Sequence, residues 1–167
     1  MRFTMSHEFR CPPEKMWEVY EDDEFERRLQ EATQVRREVL EEREEDGVQI
    51  KRLRCVAEKE LPKPMKMALG IEQFEYEQEQ RLDRKENLLE WKVVTPFMTD
   101  RVHAAGTTRV EPTERGCRRK VEGDIQVRLP LVGKKMEQNL ARRLQTSYEE
   151  AVDIAREMLE EEGTEDE

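Results

Sequence analysis

Cys117-Arg-Arg-Lys-Val-Glu-Gly-Asp-Ile-Gln-Val-Arg-Leu129, read together with the long segment behind it, decides the fold. Cys117, Arg119, Val121, Gly123, Ile125, Val127 and Leu129 share one parity, and Arg118, Lys120, Glu122, Asp124, Gln126 and Arg128 share the other. A period of two marks a strand with one buried face. After Pro130-Leu-Val-Gly133 the period lengthens: from Lys134 to about Glu162, residues Met136, Leu140, Leu144, Tyr148, Ala151, Ala155 and Met158 recur at three- and four-residue spacing. Such a helix must bury its stripe, and the strand before it belongs to a sheet that offers an apolar face. Gly163 is the expected stop, and residues 163–167 read as an acidic, disordered tail.

Upstream, Phe3, Met5, His7 and Phe9 alternate with polar residues as a half-buried strand, which Cys11-Pro-Pro ends because proline donates no ladder hydrogen bond. Met16, Trp17, Val19 and Tyr20 form the apolar part of a short helix, and Asp22 and Asp23 cap a second one carrying Phe25, Leu29 and Ala32. Val35, Arg37 and Val39 then alternate toward a turn at Glu45-Asp-Gly47, and Val48, Ile50, Leu53, Cys55 and Val56 return. The parity slip between Ile50 and Leu53 suggests a bulge in that strand. Leu61 to Gly70, with two prolines among Met65, Met67 and Leu69, reads as a mobile apolar flap.

Three further strands follow. Phe74, Tyr76, Gln78, Gln80 and Leu82 face one way against Glu75, Glu77, Glu79 and Arg81; Leu89, Trp91 and Val93 come next; Val102, Ala104, Gly106, Thr108 and Val110 complete the set. The order β-α-α-β-β-β-β-β-β-α predicts an α+β domain over residues 1–162, with a curved antiparallel sheet of about seven strands gripping the C-terminal helix. A sheet of this length curls, and one helix across its hollow leaves space that side chains need not fill.

At 167 residues the chain suits one core, and with 42% charged against 35% hydrophobic residues the apolar positions mark the buried faces sharply. The net charge of -10 disfavours nucleic acid, which needs a concentrated basic face. No segment approaches the roughly 20 apolar residues of a membrane span, and no signal peptide opens the chain, so a cytoplasmic location is expected, with room for transient contact with a membrane surface. Cys11, Cys55 and Cys117 lack metal or redox spacing and read as buried free thiols. Without HExxH, a Ser-His-Asp spacing or a glycine-rich phosphate loop, no metal, no cofactor and no catalytic residue is assigned.

His7-Glu-Phe-Arg-Cys-Pro-Pro-Glu-Lys-Met-Trp17 resembles the habitual opening of the START-like, or SRPBCC, superfamily: strand, proline-led turn, tryptophan-bearing helix. Trp91-Lys-Val-Val and Gly106-Thr-Thr-Arg-Val-Glu-Pro112 fit that resemblance. Gly116-Cys-Arg-Arg-Lys-Val-Glu-Gly-Asp-Ile125 and Leu129-Pro-Leu-Val-Gly-Lys-Lys-Met-Glu137 look like one branch, a START-related bacterial family of unknown function. The resemblance implies the helix-grip fold and a hydrophobic small-molecule or lipid ligand. It admits three roles, in this order: carrier, cyclase- or hydrolase-type enzyme, and partner-binding module with a filled core.

Twin readings attach to each candidate. His7 is the only histidine of inward parity, a general base if both a partner and a substrate proton lie within reach and a hydrogen-bonded core residue otherwise. Arg119, between Cys117 and Val121, requires an anion, a ligand head group or an open strand end; its plainer reading is a place at the sheet's mouth beside water or a glutamate. Gln78 and Gln80 imply a polar cavity or a wet strand end. Met65, Met67 and Leu69 suit a gate as well as core filling. Phe74, Tyr76, Trp91, Leu144 and Tyr148 are cavity wall or core. Together these residues form the predicted ligand-binding set.

Overall fold

The decisive strand forms as β7, Gly116–Val127, and is paired on both sides. The other strands are β1 (Arg2–Phe9), β2 (Val35–Glu45), β3 (Val48–Ala57), β4 (Glu75–Asp83), β5 (Leu88–Val94) and β6 (Val102–Thr113). A computed structural model, which describes residues 1–96 and 100–165, joins them in one antiparallel sheet of order β1-β7-β6-β5-β4-β3-β2. Helices α1 (Pro13–Tyr20) and α2 (Asp23–Thr33) connect β1 to β2, α3 (Lys63–Leu69) connects β3 to β4, and α4 (Gly133–Glu165) crosses the concave face. This is the α+β helix-grip architecture expected from the order of elements.

Local chemistry explains the boundaries. Pro13 opens α1, where its missing N–H costs nothing. The Asp22 carboxylate accepts a hydrogen bond from the Glu24 amide at 2.8 Å and starts α2, which ends on Gln34 in the left-handed region (φ 57°). Trp17 donates its indole N–H to the Asn87 side chain at 3.1 Å, fixing α1 to the β4–β5 turn.

Two glycines shape the concave face. Gly106 on β6 stands opposite Gly123 on β7, and the rings of Trp91 and Phe3 lie in the space their missing side chains leave. Trp91 therefore lies low against the sheet, 3% exposed.

The core divides in two. One cluster gathers Phe9, Met16, Trp17, Phe25 and Leu29 around the C-terminal half of α4, at Val152, Ala155 and Met158. The second gathers Phe3, Leu61, Trp91, Val121 and Ile125 around its N-terminal half, at Met136 and Ala141. Each end of α4 is also tied electrostatically: Lys15 and Arg28 reach Glu162 and Glu161 at 2.6 and 2.9 Å, while the N-terminal ammonium reaches Glu137 at 3.2 Å.

Four local expectations need correction. β3 pairs with β4 without interruption, and the irregularity lies across from it in β2, between Val39 and Glu41. The parity slip arose because Gln49 and Lys51 face the concave side with Leu53, which turns Val48 and Ile50 outward. Residues 63–69 form α3 rather than an irregular flap, since Pro64 falls in the first helical turn, where proline is accommodated, and Gly70 closes the helix at φ 66°. β7 ends at Val127, so Leu129 lies beyond the sheet and packs on the second cluster. Finally, α4 runs through Gly163 to Glu165; a Cβ at Gly163 would meet nothing within 4 Å, and the ion pairs to Glu161 and Glu162 hold the turn before it. Residues 166 and 167 of the expected tail lie outside the described residues.

The glycine pair yields a prediction. A Cβ at Gly106 would clash with the Glu122 carbonyl oxygen and with Trp91 Cζ2, and the first of these is backbone in a paired strand. Gly106→Ala should lower unfolding stability by about 1–3 kcal/mol, the range for overpacking a well-filled interior. Urea denaturation checks this, and an unchanged midpoint would contradict it.

Candidate ligand cavity

Between the middle of α4 and the concave face lies a cavity of about 320 Å³. Its roof is Leu144, Ser147, Tyr148 and Ala151 of α4, one wall is the α1–α2 pair through Trp17, Tyr20, Phe25 and Leu29, and its floor is built from β2 to β7. The floor combines Leu53, Leu82, Leu89 and Trp91 with Gln78 and Gln80. Alternation in the strands aims these side chains at the hollow. The two helices close the side because α2 packs along α4 and also reaches the edge strand β2, where Glu26 meets Arg37.

Exposed lining residues locate the mouth. Glu21, Asp22 and Asp23, at the junction of α1 and α2, and Val39 on β2, 52% exposed, place it between α2 and the β2–β3 hairpin. Residues 61–70, read from the sequence as a flap with a gate at Met65, Met67 and Leu69, contribute nothing to the cavity lining among the described residues.

The predicted set divides. Tyr76, Gln78, Gln80, Trp91, Arg119, Leu144 and Tyr148 line the cavity. His7 does not: its Nε2 lies 3.0 Å from Glu149 of α4, so the ring is a β1–α4 contact, which is the core-histidine reading. Met65 packs in the second core cluster and Met67 is 80% exposed, because one turn of α3 places them on different faces. Phe74, immediately before β4, packs on that same cluster with its ring 5.6 Å from Tyr76, beyond the cavity's end. The side chain of Leu69 lies outside the described residues.

Arg119 is 5% exposed, which removes the reading that placed it at an open mouth. Its Nη1 donates to the Tyr20 hydroxyl at 3.1 Å, and its guanidinium carbon lies 4.6 Å from the Tyr20 ring centre and 5.1 Å from that of Tyr148. These stacks stabilise a desolvated cation. Its Nε finds no acceptor, and among the described residues no carboxylate comes within 4.0 Å. A second inward arginine, Arg37, is matched by Glu26 at 3.3 Å.

Sequence reasoning missed several wall residues. Arg37 stands between Val35 and Val39 on the inward parity, the same signal that exposed Arg119, and Thr108 follows suit on β6. Tyr20, Phe25 and Leu29 were legible only as the apolar faces of short helices. Among the described residues, no group of three or more His, Cys, Asp and Glu is placed to hold a metal ion, and no helix is long and apolar enough to cross a membrane. The three cysteines are buried and free; burial raises the thiol pKa values, and that of Cys117, beside Cys11, is pushed up to about 12.

Fold and cavity together define a helix-grip protein with an internal chamber. A family model described as Protein of unknown function (DUF2505) matches residues 4–159, and the chain belongs to that family. No curated protein matches the sequence. Among solved structures, TTHA0849 from Thermus thermophilus is similar with a TM-score of 0.65 at 17% identity, over 94% of this chain and 95% of that one. The Zhui aromatase/cyclase from Streptomyces sp. R1128 gives 0.62 at 15% identity, over 96% and 92%. Ara h 8.0201 gives 0.62 at 10% identity, over 93% and 97%. At such identities the likeness speaks for the fold.

All three tyrosines, Tyr20, Tyr76 and Tyr148, line the chamber, and loss of hydration there raises each phenol above its ordinary 10.0. A raised folded pKa contributes stability that is present below the unfolded value and is lost as pH climbs toward the folded one. Stability should therefore be insensitive to these phenols at neutral pH and fall once pH exceeds about 10. In an ultraviolet titration, tyrosinate should appear only with unfolding; a phenol ionising near 10 in the folded protein would contradict a chamber shielded from bulk water.

Proposed function

We propose that this protein binds an apolar small molecule, a lipid or a polycyclic compound, in the chamber between its sheet and α4. The observation that carries the reading is the chamber's make-up: aliphatic and aromatic walls, a few convergent polar groups, and a volume at the small end of ligand sites. A space of about 320 Å³ supports this reading ahead of a partner-binding module with a filled core. The START-like resemblance and the names of structural neighbours, which include aromatase/cyclases, support the same direction without choosing a ligand.

One observation favours catalysis as a second reading. Arg119 and Tyr20 are in hydrogen-bond contact inside the chamber, the polar pairing an enzyme of cyclase type would require. Binding without turnover is the first reading because, among the described residues, no carboxylate lies within 4.0 Å of Arg119, and Glu26 is engaged by Arg37 through one oxygen. A carrier needs no base, and a cyclase does.

Leu144 hangs from α4 into the space, so Leu144→Trp should fill it while leaving the fold intact. A neutral naphthylamine dye should bind the native protein at one saturable site, and the variant should bind it at least about tenfold more weakly. Met67→Ser, on the outer surface of α3, should leave the dye's affinity unchanged. Equal binding by the native and Leu144→Trp proteins, with circular dichroism unchanged, would overturn the reading.

A further inference from the structure

We infer that the guest is an acid: the chamber holds the carboxylate of an apolar carboxylic acid against Arg119, with the hydrocarbon body against Leu53, Leu82, Leu89 and Trp91. This rests on the proposed binding function and specifies its ligand.

Three cations line the chamber, and two have partners: Arg37 meets Glu26 at 3.3 Å, and Lys51, nearer the mouth, lies 3.9 Å from Glu42. Arg119 has none among the described residues, although it is the most buried of the three. A guanidinium stays charged at any pH a protein survives, so it cannot relieve desolvation by losing its proton. The protein surrounds it with what a neutral environment offers, two aromatic faces and one phenol oxygen, and still leaves Nε without an acceptor. An anion entering the chamber completes that set.

The surroundings also select the anion. One unmatched cation balances one negative charge, and a guanidinium edge matches the two oxygens of a carboxylate. A phosphate monoester would bring further charge into a site with no second free cation among the described residues. Tyr20 accepts from Arg119, so its own O–H is free to donate; Tyr148 and Thr108 place two more hydroxyls on the same part of the wall. Because burial raises both phenols, these groups remain donors at neutral pH. Of the acids lining the chamber, Glu21 pairs with Arg84, Asp22 caps α2 and Glu26 holds Arg37, which leaves Asp23, exposed in the first turn of α2 where the helix N-terminus favours its charge.

Competition against the neutral dye separates the possibilities, using decanoic acid, decanol and decyl phosphate at neutral pH. Native protein should bind decanoic acid about tenfold or more above decanol, the difference expected from charge-assisted hydrogen bonds in a dry site, and decyl phosphate no more tightly than the acid. Arg119→Gln should bring acid and alcohol within about twofold of each other while decanol keeps its native affinity. Should that variant fail to fold, Arg119→Met leaves no buried polar group and reads the same ratio. Equal native binding of acid and alcohol overturns the head-group assignment while leaving the chamber reading intact, and so does a preference that survives loss of Arg119. Tighter binding of decyl phosphate overturns the choice of carboxylate. If dye and decanol both fail to bind, the chamber reading itself falls and takes this inference with it.

Discussion

The packing of α4 against two separate core clusters, with the chamber held between them, is the constraint on which the rest of the structure depends. Its C-terminal half buries Val152, Ala155 and Met158 in one cluster with α1 and α2, and its N-terminal half buries Met136 and Ala141 in another with β6, β7 and the segment around α3. Between these anchors the sheet curls away, and Leu144, Tyr148 and Ala151 line the chamber while their flanks pack on the two clusters. Ion pairs at both ends, to Glu137 and to Glu161 and Glu162, resist the collapse that would close the gap. Each such pair is worth little by itself at a surface, so the hydrophobic clusters carry the anchoring and the charges fix its register.

The interior of the sheet is arranged to match. Gly106 and Gly123 let Trp91 and Phe3 lie low, which preserves height under the helix. Polar Gln78, Gln80, Gln49 and Lys51 alternate across the floor with Leu53 and Leu82. Arg119 is the buried charge of this lining, and two tyrosine rings stabilise it. A chamber that only excluded water would be more stable with an aliphatic residue there. The edge strand β2, rich in Arg and Glu, guards the open side of the sheet against pairing with other chains.

Most of the fold was legible because the strands have one wet face. β1, β6 and β7 alternate cleanly, and inward residues expected for them, from Phe3 and Phe9 to Val121 and Ile125, are buried, with Leu129 falling beyond the end of β7. Legibility failed where the inward face is itself polar. On β3 the chamber-facing Gln49 and Lys51 look like surface residues and the outward Val48 and Ile50 look like core, so a register irregularity was assigned to the wrong strand. The prolines near α3 failed for a different reason: the same residue breaks a helix interior and starts a helix, and only tertiary burial of Leu61 and Met65 decides between them. Alternation found the chamber's floor, Tyr76, Gln78, Gln80, Trp91 and Arg119, but it carries no information about which helix covers which strand. That is why the mouth was sought near residues 61–70 and the wall formed by Tyr20, Phe25 and Leu29 was not foreseen.

The measurement closest to the central claim is a map of where a neutral apolar molecule sits, read from intermolecular nuclear Overhauser effects to assigned methyl groups. The account predicts contacts to Leu53, Leu82, Leu89 and Leu144, which come from β3, β4, β5 and α4 and meet only inside the chamber. Contacts confined to exposed apolar groups such as Leu131 and Met67, with none to those four leucines, would contradict it.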